Sequence, residues 1–498
     1  MSSKNTDSRT ERREGAPAEE SPRLFGIIGD PIGHTLSPLI HTRFAEKTGK
    51  SIRGYLPFAV RREDLSDAIR GAHALGIAGM NVTVPHKSGV IPLLAGIDPL
   101  AAKIGAVNTL IYQDDGYRGC NTDATGLKCA LLEAGVTLAG TRVVILGAGG
   151  AARAAAFLCV TEGAAEVVII NRTADKAAAL AADVNEKTEK QAARAADLSS
   201  FLSEPVSPER KYLAIQCTSV GLSPDTEHAP VEDPAFFERL FFAVDIVYRP
   251  LMTKFLWLAR QAGLPVLGGL SMLLYQAADA FSLWFPDTRL TQSDLRSVMC
   301  ALKAELLGGS CIRLIGFMGS GKTTIGQTLA DVLGFDLWDT DRMIEESCRK
   351  TVSEIFARDG EEMFRRMETA TLKMIAEALS ESPWEGETDG LILSTGGGLP
   401  VREENRRWLR QTPGSTVYLR ARPETILARL SGDSTRPLLS GEDQEEKRSR
   451  TIALLAERED IYESCADLVI DTDGKTPEAI AAEILAGLPV KPRMEKAN

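Results

Sequence analysis

The chain has 498 residues, 44% of them apolar and 25% charged, with a formal net charge of -11. That length exceeds what one hydrophobic core holds, and a prior of about 150 residues per domain predicts three or so folding units. The acidic balance argues against a surface that wraps nucleic acid or an anionic membrane, so any anionic ligand has to be met by locally placed arginines.

Eight cysteines carry no CxxC or Cys/His spacing, the pattern of free thiols in a reducing cytoplasm. No run of about 18 uncharged apolar residues reads as a membrane span. Residues 1–22 mix Lys, Arg, Glu, Ser and Pro without an apolar core and are expected to be a disordered tail.

From residue 24 to about 266, β-branched runs alternate with alanine-rich stretches, the rhythm of βα units on a mostly parallel sheet. The run 142–146 predicts a buried strand, followed at once by Gly147-Ala148-Gly149-Gly150-Ala151-Ala152, a helix over 151–160 and a second strand over 166–170. This is the context of a dinucleotide-binding turn, in which glycine backbone approaches a pyrophosphate at a helix N-terminus. Where an enzyme using NAD would place an acid on the ribose, the strand runs into Asn171-Arg172-Thr173 with Lys176 one turn later. Cations there predict NADP, through its 2'-phosphate.

The stretch 263–306 reads as helical, and 305–310, with Gly308-Gly309, is the candidate boundary. Beyond it an apolar strand over 312–315 leads into Gly316-Phe317-Met318-Gly319-Ser320-Gly321-Lys322-Thr323 and a helix over 322–333. That is a P-loop: backbone amides cradle phosphates, Lys322 reaches the transferring group and Thr323 offers its hydroxyl to magnesium. Asp339 and Asp341 are two apart after an apolar run. In extended geometry they would face one way, one toward the metal's water and one toward an acceptor hydroxyl; the competing reading is an acidic N-cap. The next strand, over 391–393, runs into Ser394-Thr395-Gly396-Gly397-Gly398 where many P-loop enzymes carry an aspartate. The Gly-, Asp-, Ser- and Glu-rich stretch 431–447 predicts a mobile loop over a site.

The segments Gly29-Asp30-Pro31-Ile32-Gly33-His34-Thr35-Leu36-Ser37-Pro38, Asn81-Val82-Thr83-Val84-Pro85-His86-Lys87, Gly105-Ala106-Val107-Asn108-Thr109, Asn121-Thr122-Asp123 and Asp245-Ile246-Val247-Tyr248-Arg249-Pro250, together with 269–276, resemble shikimate dehydrogenase over about 22–290. The resemblance implies a substrate-binding subdomain over 23–125, completed by helices at 270–305, and a Rossmann NADP-binding subdomain over 126–269. It implies that Lys87 and Asp123 form the acid/base pair, that Thr35 and Ser37 bind the substrate carboxylate, and that Thr83, Asn108, Asp123, Tyr248 and Gln276 bind its hydroxyls. NADP would meet Gly147, Ala148, Gly149, Gly150, Ala151, Asn171, Arg172, Thr173, Lys176, Ile246 and Gly269. Thr35 stands where the family usually has Ser, which leaves shikimate against quinate open. His34, His41 and His86 share no ligand spacing with Cys or carboxylates, so structural roles are expected and no zinc.

The second half resembles shikimate kinase in 316–324, Asp339-Thr340-Asp341, Gly360-Glu361, Phe364-Arg365-Arg366 with Glu368, Gly396-Gly397-Gly398, Arg436-Pro437-Leu438-Leu439, and Arg458 with Tyr462. That implies a P-loop α/β domain over 311–490, reached through a linker at 306–310 and followed by a tail at 491–498. Asp341, Arg365, Gly397 and Arg458 would hold the acceptor; Gly319, Ser320, Gly321, Lys322, Thr323, Thr324, Arg429, Arg436 and Lys475 would hold ATP, with Arg436 on a lid; and Thr323 and Asp339 would hold Mg2+. Lys322 and Asp341 are the expected catalytic pair. The expected reactions are reduction of 3-dehydroshikimate by NADPH and phosphorylation of the resulting shikimate by ATP, in aromatic amino acid biosynthesis. The alternative is a quinate/shikimate dehydrogenase carrying a P-loop module that only senses nucleotide.

Overall fold

The computed structural model describes residues 23–488 apart from 34, 206, 208, 209, 382–388 and 431–443. The expected tails, residues 489–490, His34 and Arg436, expected on a lid, lie outside the described residues, as does all of the expected loop 431–447 before residue 444. Three sheets carry the fold, each with helices packed on it.

The first sheet orders its six strands Ile52–Ala59, Arg23–Gly29, Gly79–Val82, Thr109–Gln113, Gly116–Cys120 and Gly96–Ile97. It is mixed: Thr109–Gln113 runs antiparallel to both of its neighbours. The alternation of apolar runs and helices predicted a mostly parallel arrangement here. Three of the five pairings are parallel, and the two-residue turn at Asp114-Asp115 adds an antiparallel hairpin, which a parallel connection could not do.

The second sheet is parallel throughout, in the order Val266–Leu267, Leu240–Asp245, Tyr212–Gln216, Arg142–Leu146, Glu166–Ile170 and Ala193–Ala196. Val143 to Leu146 are buried on both faces, as a central parallel strand requires. The chain direction across the sheet reverses at this strand, and the glycine turn leaves its carboxyl end, the place where such sheets bind ligands. Two helices join the first two sheets: Asp123–Glu133 leads out of the first, and Gly269–Trp284 returns to it. They pack closely, since a Cβ at Gly126 would lie 2.7 Å from the backbone nitrogen of Gln276.

The stretch 263–306 is not one helical run. It opens with the edge strand Val266–Leu267, and its two helices, Gly269–Trp284 and Gln292–Leu307, are separated around Phe285-Pro286-Asp287, where proline cannot continue a helix. The second of these, the junction helix, starts from a capping box between Thr291 and Asp294 and ends at Gly308 in the left-handed region, φ 76°. Leu306 and Leu307, expected in a linker, are its buried last turn.

The third sheet is also parallel, in the order Asp336–Asp339, Leu391–Ser394, Cys311–Ile315, Ser415–Arg420 and Leu468–Asp471. Again the glycine-rich loop follows a central strand, Cys311–Ile315, at the point where strand order reverses. An apolar cluster is continuous between the second and third sheets: Phe255, Leu256 and Trp257 of the helix Lys254–Gln261 belong with Ile480, Ala481 and Ile484 of the helix Pro477–Gly487.

Candidate active sites

In the first half, Lys87 Nζ donates to Asp123 Oδ2 at 2.7 Å, with Lys87 18% and Asp123 8% exposed. Asp123 opens its helix, where the amide dipoles favour a carboxylate, and Asn121 Oδ1 accepts from the amides of Asp123 and Ala124. Asn108 Nδ2 donates to Asp123 Oδ1 at 3.0 Å and lies 3.3 Å from Gln276 Oε1. Asn108, Asp123, Gln276 and Lys87 therefore form one polar network drawn from four separate segments of the chain. Thr35 and Ser37 meet each other, hydroxyl to hydroxyl, at 3.1 Å. Thr83 lies on the same strand end as Lys87, its amide donating to Ile28 O. Burial pushes the Tyr248 phenol above its ordinary pKa, leaving a neutral hydroxyl as donor.

The glycine turn comes up against this network. Gly147 has φ 115°, a conformation side chains rarely adopt, and a Cβ at Gly150 would lie 3.8 Å from Lys87 Cδ. Around Gly149 a Cβ would meet nothing within 4 Å, so the backbone there is open to a pyrophosphate. Ala148 and Ala151 complete the turn, while Ile246 O crowds Gly269 so closely that a Cβ would overlap it. Arg172, Thr173 and Lys176 are exposed just past the strand Glu166–Ile170, and Asn171 Nδ2 donates to Thr173 O, shaping that corner. Glycine backbone beside a proton-donating network, with exposed cations at the second strand, fits a bound NADP.

His41 is a core residue: it stacks on Tyr55 with ring centroids 4.5 Å apart, and burial lowers its pKa to about 3. His86 is buried with Nε2 2.6 Å from Val60 O.

In the second half Lys322 Nζ donates to Gly316 O and Phe317 O at 2.9 and 3.0 Å, folding its ammonium over the loop. Thr323 Oγ1 and Ser394 Oγ both donate to Asp339 Oδ2 at 2.8 Å, and the two hydroxyls lie 3.3 Å apart. An all-oxygen triangle at the P-loop suits magnesium. Ser394 is the member that sequence reading missed; its position at the end of the strand Leu391–Ser394, where many P-loop enzymes carry an aspartate, was the available signal.

Asp339 and Asp341 are not both in extended backbone. The strand stops at Asp339, whose Oδ1 accepts from the amides of Asp341 and Arg342, and the helix Thr340–Cys348 begins. One carboxylate thus caps the helix through Oδ1 and meets Thr323 and Ser394 through Oδ2, while Asp341 falls inside the helix. It meets the triple glycine instead: a Cβ at Gly396 would overlap Asp341 Oδ1, and one at Gly398 would overlap the Arg365 guanidinium.

Arg365 donates to Glu368 and Glu361 at 2.8 Å each. Glu368 is fully buried, and burial pushes its carboxyl up to about 7 against the pull of Arg365. Arg458 is 5% exposed, and its Nε and Nη1 have no hydrogen-bond partner among the described residues. Tyr462 beside it donates to Gly397 O. Buried guanidinium N–H groups without a protein acceptor fit an anionic ligand. Arg429 Nη1 donates to Ser320 O at 3.1 Å and spans to Thr472, so it braces Gly319 to Gly321. Thr324 follows in the first turn of the helix; Lys475 pairs with Glu483 at 2.7 Å.

These two sites define a two-headed α/β enzyme, an oxidoreductase of the dinucleotide-binding class joined to a P-loop phosphotransferase. Family models agree: the shikimate dehydrogenase substrate binding domain matches residues 27–110, shikimate / quinate 5-dehydrogenase matches 130–205, and shikimate kinase matches 318–489. The chain is 43% identical over 261 residues to the shikimate dehydrogenase (NADP(+)) of Moorella thermoacetica, covering 52% of this chain and 87% of that one. Identity to the corresponding protein of Methanosarcina acetivorans is 40% over 284 residues, 57% of this chain and 99% of the other. A crystal structure of a shikimate dehydrogenase in complex with NADP+ superposes with a TM-score of 0.51 at 33% identity, over 58% of this chain and 99% of that one. The chain belongs to the shikimate dehydrogenase family and carries a shikimate kinase domain behind it. It is a bifunctional enzyme, using NADP in its first half and ATP in its second.

Proposed function

We propose that the first half reduces 3-dehydroshikimate to shikimate and that the second phosphorylates the hydroxyl so created, giving shikimate 3-phosphate. The observation that carries the reading is the Lys87–Asp123 pair, 2.7 Å apart, set against the glycine turn. NADPH, when bound, supplies the hydride. Lys87 and Asp123 hold and move the proton that the new alkoxide oxygen needs, while Asn108 and Gln276 fix the orientation of Asp123 and of the ring hydroxyls. Thr35 and Ser37 present hydroxyls to the carboxylate, with Thr83 and Tyr248 bordering the ring.

MgATP, when bound, supplies the phosphoryl group of the second reaction. Arg365 and Arg458 grip the acceptor's carboxylate, Asp341 orients or deprotonates its hydroxyl, and Lys322 offsets charge on the transferring group. Thr323, Asp339 and Ser394 hold the metal side; Gly397 lets the acceptor approach backbone. The test is one assay with 3-dehydroshikimate, NADPH, ATP and Mg2+, following NADPH oxidation and ADP release separately. ADP release that starts only after NADPH oxidation is the expected result; NADPH oxidation with no ADP release would remove the kinase reaction.

A further inference from the structure

The junction helix has two working faces. Leu295, Val298, Leu302 and Leu306 lie in the core of the dehydrogenase half, while Leu307 lies in the cluster shared with the kinase sheet. Arg296, Cys300 and Lys303, spaced four and three apart, fall on one side of the helix and converge on a single kinase carboxylate, Asp389. Arg296 Nε is 3.6 Å and Cys300 Sγ 3.5 Å from Asp389 Oδ1. Lys303 Nζ pairs with Asp389 Oδ2 and also donates to Leu333 O at 2.7 Å.

Those two partners belong to the elements that build the metal triangle. Leu333 is the last residue of the helix Lys322–Leu333, whose first turn holds Lys322 and Thr323, and its carbonyl is one of those that a helix end leaves unpaired. Asp389 stands just ahead of the strand Leu391–Ser394, whose last residue is Ser394. Lys303 is 18% exposed and lies 5.9 Å from the Phe335 ring, so a partly dry cation ties the far ends of both elements together.

We propose that Lys303, on the last helix of the dehydrogenase half, is a positioning residue for the kinase: it sets the P-loop helix against the strand Leu391–Ser394, so that Thr323 and Ser394 meet at Asp339. The effect should fall on MgATP, whose metal needs that meeting, more than on shikimate. This rests on the kinase reading. A wild-type enzyme unable to phosphorylate shikimate would sink that reading, whereas the inference is judged only on variants of an active wild type.

In the full chain, Lys303→Met should raise the KM for MgATP about five- to twentyfold, leave the KM for shikimate and NADPH oxidation within about twofold, and be largely restored by Lys303→Arg. Asp389→Asn tests the same link from the kinase side, should Lys303→Met fail to fold, and should show the same MgATP effect. An unchanged KM for MgATP in either folded variant overturns the proposal, whatever happens to thermal stability. So does a loss of NADPH oxidation in step with kinase activity.

Discussion

Lys87 illustrates how a single side chain can serve two neighbours, its ammonium held by Asp123 and its aliphatic stem lying beside Gly150. Removing it takes away the proposed proton carrier without opening a core cavity, so Lys87→Ala should lower NADPH oxidation by about 10²–10⁴-fold while ATP turnover on supplied shikimate persists. Steady-state rates on each substrate check this; a loss of both activities in folded protein would refute independent sites. Arg172 is exposed beyond its strand. A charge-assisted bond to a 2'-phosphate is worth about 1.5–3 kcal/mol, so Arg172→Ala should weaken NADPH by roughly ten- to a hundredfold and leave NADH unaffected. The ratio of kcat/KM for the two nucleotides reads it directly.

Among elements, those bounded by local chemistry were the legible ones. The helix Lys322–Leu333 could be delimited because the P-loop fixes its start and Gly334, in the left-handed region, fixes its end. Separate helices were expected over 270–305, but their break at Phe285-Pro286-Asp287 was not located, apolar residues continuing on both sides. The period-two reading of Asp339 and Asp341 failed because Asp339's own carboxylate turns the chain into a helix. Longer-range meetings leave no mark in spacing: Ser394 lies 55 positions from Asp339, and Asp389 lies 86 from Lys303. The Lys87–Asp123 pairing came from family resemblance, since no rule of spacing joins residues 36 apart.

The strand Leu240–Asp245 ends on a carboxylate buried from solvent and bonded to the Thr253 hydroxyl and the Val247 amide. Burial raises the Asp245 pKa from its ordinary value to about 7. The folded state therefore keeps a proton that the unfolded chain gives up near pH 4, so this group's contribution to stability is full below about 4 and declines until about 7. Asp245→Asn should remove that decline. Melting temperatures at pH 5 and pH 8 should separate less in the variant than in wild type; an equal separation would show that Asp245 is not the source.

At the scale of the whole molecule, the two candidate sites use disjoint residues, although the halves share an apolar cluster. Lys322→Ala should accordingly abolish ADP release and leave NADPH oxidation within about twofold, the mirror image of Lys87→Ala. Both assays run on the same preparation provide the check.

The seam at Gly308-Gly309 is as tightly fitted as a protein interior. Ser310 O accepts from the Leu391 amide, Leu307 O accepts from the Ser415 hydroxyl, and a Cβ at Gly309 would lie 2.5 Å from the Gly414 backbone. An engineer who spliced a flexible spacer into that corner would not be lengthening a tether. The added residues would have to bulge out of a strand start, and the kinase would register the cut as damage to its own scaffold.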